Sequence, residues 1–204
     1  MRSLRPLADR AEEPHELQAK ALDQIRYIRR TIEDAGSFTS VPGWGQVAIG
    51  VTALVAAWIA SRQRTETAWL TTWLAESALA LGISAGTMAG KARAAGLPLF
   101  SGPARKFAVS FSLPLVAGAV LTWVFQRGGL APVLPGMWLL MFGTAVATGG
   151  AFSVPVVPVM GFCFMALGAA SFLTPAGWGD LWMAAGFGVV MIAFGLWIAR
   201  RHGG

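Results

Sequence analysis

From Trp44 onward the chain alternates long apolar stretches with short polar breaks. Six stretches stand out: Trp44 to Ser61, Thr67 to Gly90, Phe107 to Gln126, Leu134 to Gly149, Val154 to Leu173, and Leu181 to Ala199. A helix that crosses a bilayer needs about 20 mainly apolar residues at about 1.5 Å rise each. The pattern therefore predicts an all-α polytopic membrane protein, with six transmembrane helices over residues 44–200. Before the first stretch the period changes. Leu17, Ala21, Ile25, Ile28 and Ile32 form one narrow helical stripe. Pro14 suits the first turn of that helix, Glu12, Glu13 and Glu16 suit its positive end, and Gly36 with Ser37 marks its stop. Residues 1–13 read as a flexible tail and 14–36 as an amphipathic cytoplasmic helix.

The second stretch has two distinct faces. Ala78, Gly82, Gly86 and Gly90 recur every four residues. Small residues at that spacing let a neighbouring helix approach closely, so this face is expected to be a helix-packing seam. Around the helix from it stand Trp69, Thr72, Glu76 and Thr87. Glu76 is the one clear carboxylate inside an apolar stretch. An acid there is costly, and it either hydrogen-bonds within the fold or lines a polar pathway. Trp69, Thr72, Glu76 and Thr87 are the pathway candidates.

Charge adds an orientation. The formal net charge is +6, but the cations lie outside the stretches, as in a topology signal rather than a nucleic-acid footprint. An N-terminus in the cytoplasm puts Arg26, Arg29, Arg30, Lys91, Arg93, Arg105, Lys106, Arg200 and Arg201 inside. Only Arg62, Arg64 and Arg127 then lie outside, and six spans return the C-terminus to the cytoplasm. Trp58, Trp69, Trp73, Trp123, Trp138, Trp178 and Trp182 would mark the outer boundary as an aromatic belt or a vestibule; Trp44 and Trp197 would mark the inner one. No cleavable signal is visible in the first forty residues, so Trp44 to Ser61 reads as an uncleaved first span.

Several local features extend this picture. The connection Thr148 to Pro158 carries no charge, which suits a tight buried turn or a broken helix end. At an offset of 44 residues Leu113-Pro114-Leu115 aligns with Val157-Pro158-Val159 and Trp138 with Trp182, a faint repeat of helical hairpins. Asp180, beside Gly179, reads as a helix N-cap. The single cysteine, Cys163, reads as a small apolar packing residue.

Catalytic chemistry finds no set of residues. His15 and His202 lie outside the stretches, so neither a haem pair nor a Ser/His/Asp arrangement forms within the bilayer. No metal-ligand cluster, phosphate loop or dinucleotide fingerprint is present. No enzyme activity, metal or cofactor is expected.

The segments Phe38-Thr39-Ser40-Val41-Pro42-Gly43-Trp44-Gly45, Gly149-Gly150-Ala151-Phe152-Ser153-Val154-Pro155 and Val157-Pro158-Val159-Met160-Gly161 resemble a group of uncharacterised bacterial six-helix inner-membrane proteins. Their genes often lie beside those of winged-helix regulators. The resemblance implies a multi-pass protein of the bacterial inner (plasma) membrane, linked to a signalling circuit, and transfers no functional residue.

Two functions remain open. One is passage of a small solute or ion through a helical bundle or oligomer. The other is a membrane sensor or scaffold that docks a cytoplasmic protein through Leu17, Ala21, Ile25, Ile28 and Ile32, with Arg26, Arg29 and Arg30 reaching lipid phosphates. The expected partner common to both is the lipid bilayer. Further copies of the chain and a cytoplasmic protein are open alternatives; nucleic acid is not expected.

Overall fold

The computed structural model describes residues 20, 22–26, 42–94 and 102–202. All regular structure among them is helical, with no strand. The chain divides into two units, Met1–Gly36 and Ser37–Gly204. In the first, Lys20 and residues 22–26 are helical, Leu22 and Ile25 are exposed, and Arg26 lies 3.5 Å from Asp23 one turn back. Leu17, Ala21, Ile28, Ile32, Arg29 and Arg30, and the tail over 1–13, lie outside the described residues.

The second unit is a bundle built from α1 (Gly43–Ala60), α2 (Glu66–Ala94), α3 (Gly102–Arg127), α4 (Leu134–Gly150), α5 (Val156–Ser171), α6 (Gly179–Met183) and α7 (Met191–His202). A π-helical segment, Ala184–Val190, joins α6 to α7 into one pass. The neighbouring helices α1 and α2, α3 and α4, and α4 and α5 pack antiparallel. The Thr65 hydroxyl caps α2 by accepting from the Ala68 N–H at 3.2 Å. At the end of α3, Gly129 takes φ 68°, and the Leu130 N–H returns to the Phe125 carbonyl at 2.9 Å. That left-handed closure favours glycine and reverses the chain within a few residues.

Among the described residues, four helical segments are long and apolar enough to cross a membrane: Gly43–Ala60, Ala104–Arg127, Ala131–Gly150 and Ala176–Arg201. α2 has 29 residues, but its hydroxyls, glycines and Glu76 make it too polar to join them. α5 is apolar but has only 16 residues, about 24 Å of helix. The outer surface is apolar. On α3 alone, Leu113, Val116 and Val120 are each more than half exposed. In water such a surface would be a large apolar patch; facing lipid it has no such penalty.

Two antiparallel glycine seams hold the bundle. Gly143 and Gly161 face each other across α4 and α5, and a Cβ on Gly143 would stand 2.7 Å from the Gly161 carbonyl oxygen. A Cβ on Gly168 would stand 2.9 Å from the Gly136 carbonyl oxygen, and one on Gly150 would meet the Pro158 nitrogen at 2.9 Å. In the second seam Gly43 pairs with Gly195 and Gly50 with Gly188. Both seams repeat every seven residues, a spacing that keeps one face of each helix turned to its neighbour so that backbones meet.

The expected seam on α2 lies elsewhere. Ala78, Gly82, Gly86 and Gly90 are exposed, and a Cβ at any of those glycines would meet no described atom within 4 Å. The opposite face does the packing: a Cβ on Gly45 of α1 would stand 2.5 Å from the Thr87 hydroxyl oxygen. Within this chain the two faces of α2 are thus the reverse of the sequence expectation. Among the described residues α2 has α1 as its only extensive neighbour, and the face holding Glu76 and Thr87 turns towards it.

The charge-free connection takes the first of its two expected forms. Thr148 to Pro158 forms a tight turn over 151–155, with Ser153 and Val154 buried. The prolines of the 44-residue repeat are not equivalent. Pro158 sits in the first turn of α5, where its missing N–H costs nothing. Pro114 lies in the middle of α3 and leaves the Ser110 carbonyl without its helical donor. The Thr148 hydroxyl of α4 approaches that carbonyl at 3.2 Å, while lying 2.8 Å from its own Thr144 carbonyl.

Candidate intramembrane cleft

α2 and α3 follow one another in sequence but do not pack along their length. α2 rests on α1 and α3 on α4. Between them lies a cleft of about 1450 Å³, larger than the roughly 300–1,000 Å³ of an ordinary small-molecule site. It runs from Pro42 and Arg105 at one end to Gln126 and Arg127 at the other.

Its walls are mostly apolar. α2 contributes Leu70, Leu74, Leu81 and Met88, and α3 contributes Phe111 and Leu115. The back wall includes Met141, Met160, Met183, Phe187 and Met191. The π-helical segment carries Phe187 to the middle of this wall, where it packs on Trp73, Phe142 and Phe164 at centroid distances of 6.4, 5.0 and 5.3 Å.

Glu76 lies in the wall and is buried, with 9% of its surface exposed. The Thr52 hydroxyl of α1 donates to its Oε1 at 2.8 Å. No hydrogen bond from a described residue reaches its other oxygen, which is not sealed from the cleft. Gln46 and Gln126, nearer the two ends, each place a buried Oε1 without a hydrogen-bond partner among the described residues.

Of the other pathway candidates none lines the cleft. Thr72 and Thr87 bond back to the Ala68 and Ile83 carbonyls of their own helix, at 2.9 and 2.6 Å. Trp69 stacks on Trp138 at 5.5 Å and donates its indole N–H to Asp180 Oδ1 at 2.7 Å. Trp73, which does line the cleft, points its N–H at the same oxygen from 3.5 Å. Asp180 is therefore not the N-cap of α6; it sits inside the first turn and fastens α2 to α6. Trp138 in turn donates to Thr122 of α3 at 2.8 Å.

Trp182 donates to Thr174 at 2.8 Å, so four of the seven tryptophans assigned to one boundary are structural contacts within the bundle. Trp58 and Trp123 behave as belt residues, exposed and covered by Arg62 and Arg127 at 3.8 and 4.3 Å. At the opposite end Arg201 covers Trp197 at 5.6 Å. Thr52 escaped the sequence reading. It is the only hydroxyl in α1, and it lies as far before Arg64 as Glu76 lies after it. That hairpin symmetry was the available signal.

Comparison with known protein families, with curated proteins and with solved structures gives no match.

Proposed function

We propose that this is a six-pass membrane protein that takes a small amphipathic molecule from the bilayer into the cleft between α2 and α3 and handles its passage. One observation carries this reading: a cleft of about 1450 Å³ with mostly apolar walls and a buried carboxylate among them. An aqueous ion path would need a continuous polar lining; this lining favours a solute that brings its own apolar surface. The methionines of the back wall suit solutes of varied shape, because thioether side chains repack readily.

In this reading α2 and α5 also cross the membrane. α2 keeps its polar side chains against α1, and α5 buries much of its short length against α4. The N- and C-termini lie in the cytoplasm, as the distribution of basic residues implies. Reporter fusions after residues 36, 64, 98, 130, 153, 176 and 204 test the topology; two adjacent fusions reporting the same side would remove it. Flux in proteoliposomes tests function. Glu76→Gln is expected to alter movement of an amphipathic solute while the protein stays folded, and unchanged flux would remove Glu76 from the pathway.

The scaffold reading keeps one supporting observation, the exposure of Leu22 and Ile25 on the N-terminal unit. It predicts that deletion of residues 1–35 abolishes capture of a cytoplasmic protein and leaves the bundle intact.

A further inference from the structure

We infer that the cleft selects amphipathic molecules carrying a positive charge, and that the unbonded oxygen of Glu76 is their counter-ion. The inference rests on the cleft reading above and adds the class of ligand. Thr52 occupies one oxygen of the carboxylate, and no cationic side chain among the described residues pairs with the other. A buried carboxylate surrounded by apolar groups is stabilised most by a cation that arrives already stripped of water. A lipophilic cation is such a species: its apolar substituents fill the cleft while its charge reaches Glu76.

The remaining polar and aromatic groups fit the same ligand. Gln46 and Gln126 are uncharged and add no competing cation to the wall. Trp73, Phe111 and Phe187 are among the lining residues, and aromatic rings attract cations. The basic groups stand at the ends. Arg105 lies at one extremity and Arg127, held over Trp123, at the other. The positive charges are therefore separated along the cleft from Glu76, which leaves the region around the carboxylate complementary to a cation. An anionic lipid bound at Arg105 or Arg127 is the competing occupant.

A matched pair of probes decides between them. Tetraphenylphosphonium and tetraphenylborate have nearly the same size and shape and opposite charge. Their binding to the full-length protein in nanodiscs is measured by equilibrium dialysis against empty nanodiscs. The phosphonium is expected to bind, and Glu76→Gln should raise its Kd by about tenfold or more, with the borate unaffected. Ser77→Lys gives a second variant at an exposed position of the cleft wall. It should weaken the phosphonium similarly, by supplying a competing cation.

Equal binding of both probes, unchanged by either variant, would overturn the cation inference and leave the cleft reading standing. Binding of the borate alone, lost on Arg105→Gln or Arg127→Gln, would replace it with the anionic-lipid alternative. Retention of neither probe would overturn the cation inference and the cleft reading together. Unfolding curves of each variant show that a lost signal comes from the site rather than from misfolding.

Discussion

At the residue scale, two carboxylates tie α2 to its surroundings, and each predicts its own signature. Thr52 supplies the only hydrogen bond that any described residue makes to Glu76. Thr52→Val keeps the shape but leaves a buried acceptor unpaired. Loss of such a bond within a membrane is expected to cost about 1–2 kcal/mol, read from reversible unfolding in mixed micelles. Much of that cost should vanish when Glu76 is already Leu, because no acceptor then remains; equal costs in both backgrounds would show that Thr52 acts by packing. Asp180 makes the other tie, accepting from Trp69 and, at longer range, Trp73. Asp180→Ala strands those indole N–H groups and should cost about 1–3 kcal/mol, whereas Asp180→Asn keeps an acceptor and should lose less. Tryptophan fluorescence should shift in the alanine variant, and an unchanged spectrum and stability would reduce Asp180 to a surface residue. The sequence marked Asp180 as a cap because Gly-Asp before an apolar run is a common helix start. Its real partners lie more than a hundred residues away, and local pattern carries no information about them.

Among the helices, the contrast between glycine positions gives a sharper test than any single contact. A Cβ on Gly143 meets backbone, the Gly161 carbonyl oxygen and the Met165 nitrogen both at 2.7 Å. Neither can rotate away, so Gly143→Ala must push α4 and α5 apart, at an expected cost of about 1–3 kcal/mol. Gly86→Ala on α2 meets no described atom. It should change stability by less than about 0.5 kcal/mol, or raise it slightly, since alanine favours helix. Thermal unfolding of the two variants compares them. A large loss at Gly86 would mean that the α2 stripe has a partner in the membrane outside the described residues, such as a second copy of the chain. The sequence displayed both glycine patterns. Spacing identified the α2 stripe as a face that permits close approach, but whether a neighbour exists is fixed by how the other passes arrange themselves. The seven-residue series Gly136, Gly143, Gly150 was equally visible and had its complement in Gly161 and Gly168. Matching series on adjacent passes, rather than one series alone, indicates a seam.

For the whole molecule, the decisive feature is that α2 and α3 frame a cleft instead of closing on each other. Four of the six apolar stretches correspond to helices long and apolar enough to cross a membrane, and these were legible because bilayer thickness is written into hydropathy and length. The cleft was not, because an apolar residue facing a cavity, a helix or lipid is equally apolar. Leu81 and Leu115 illustrate this: they line the cleft from α2 and from α3 and look like any lipid-facing leucine. They also make the gap measurable. In a Cys163→Ser background, Leu81→Cys with Leu115→Cys should resist disulfide formation, which needs Cα atoms within about 7 Å. A flexible bismaleimide that reaches across the cleft should join them, detected as altered gel mobility after cleavage in the 95–101 connection. If the cleft is an entry route from the bilayer, the bridged protein should also lose exchange of a bound amphipath while remaining folded. Rapid spontaneous disulfide formation would mean instead that α2 swings onto α3 in the membrane. The cleft would then be one state of a moving arm, pivoting on its contacts with α1 and on the Asp180 tie.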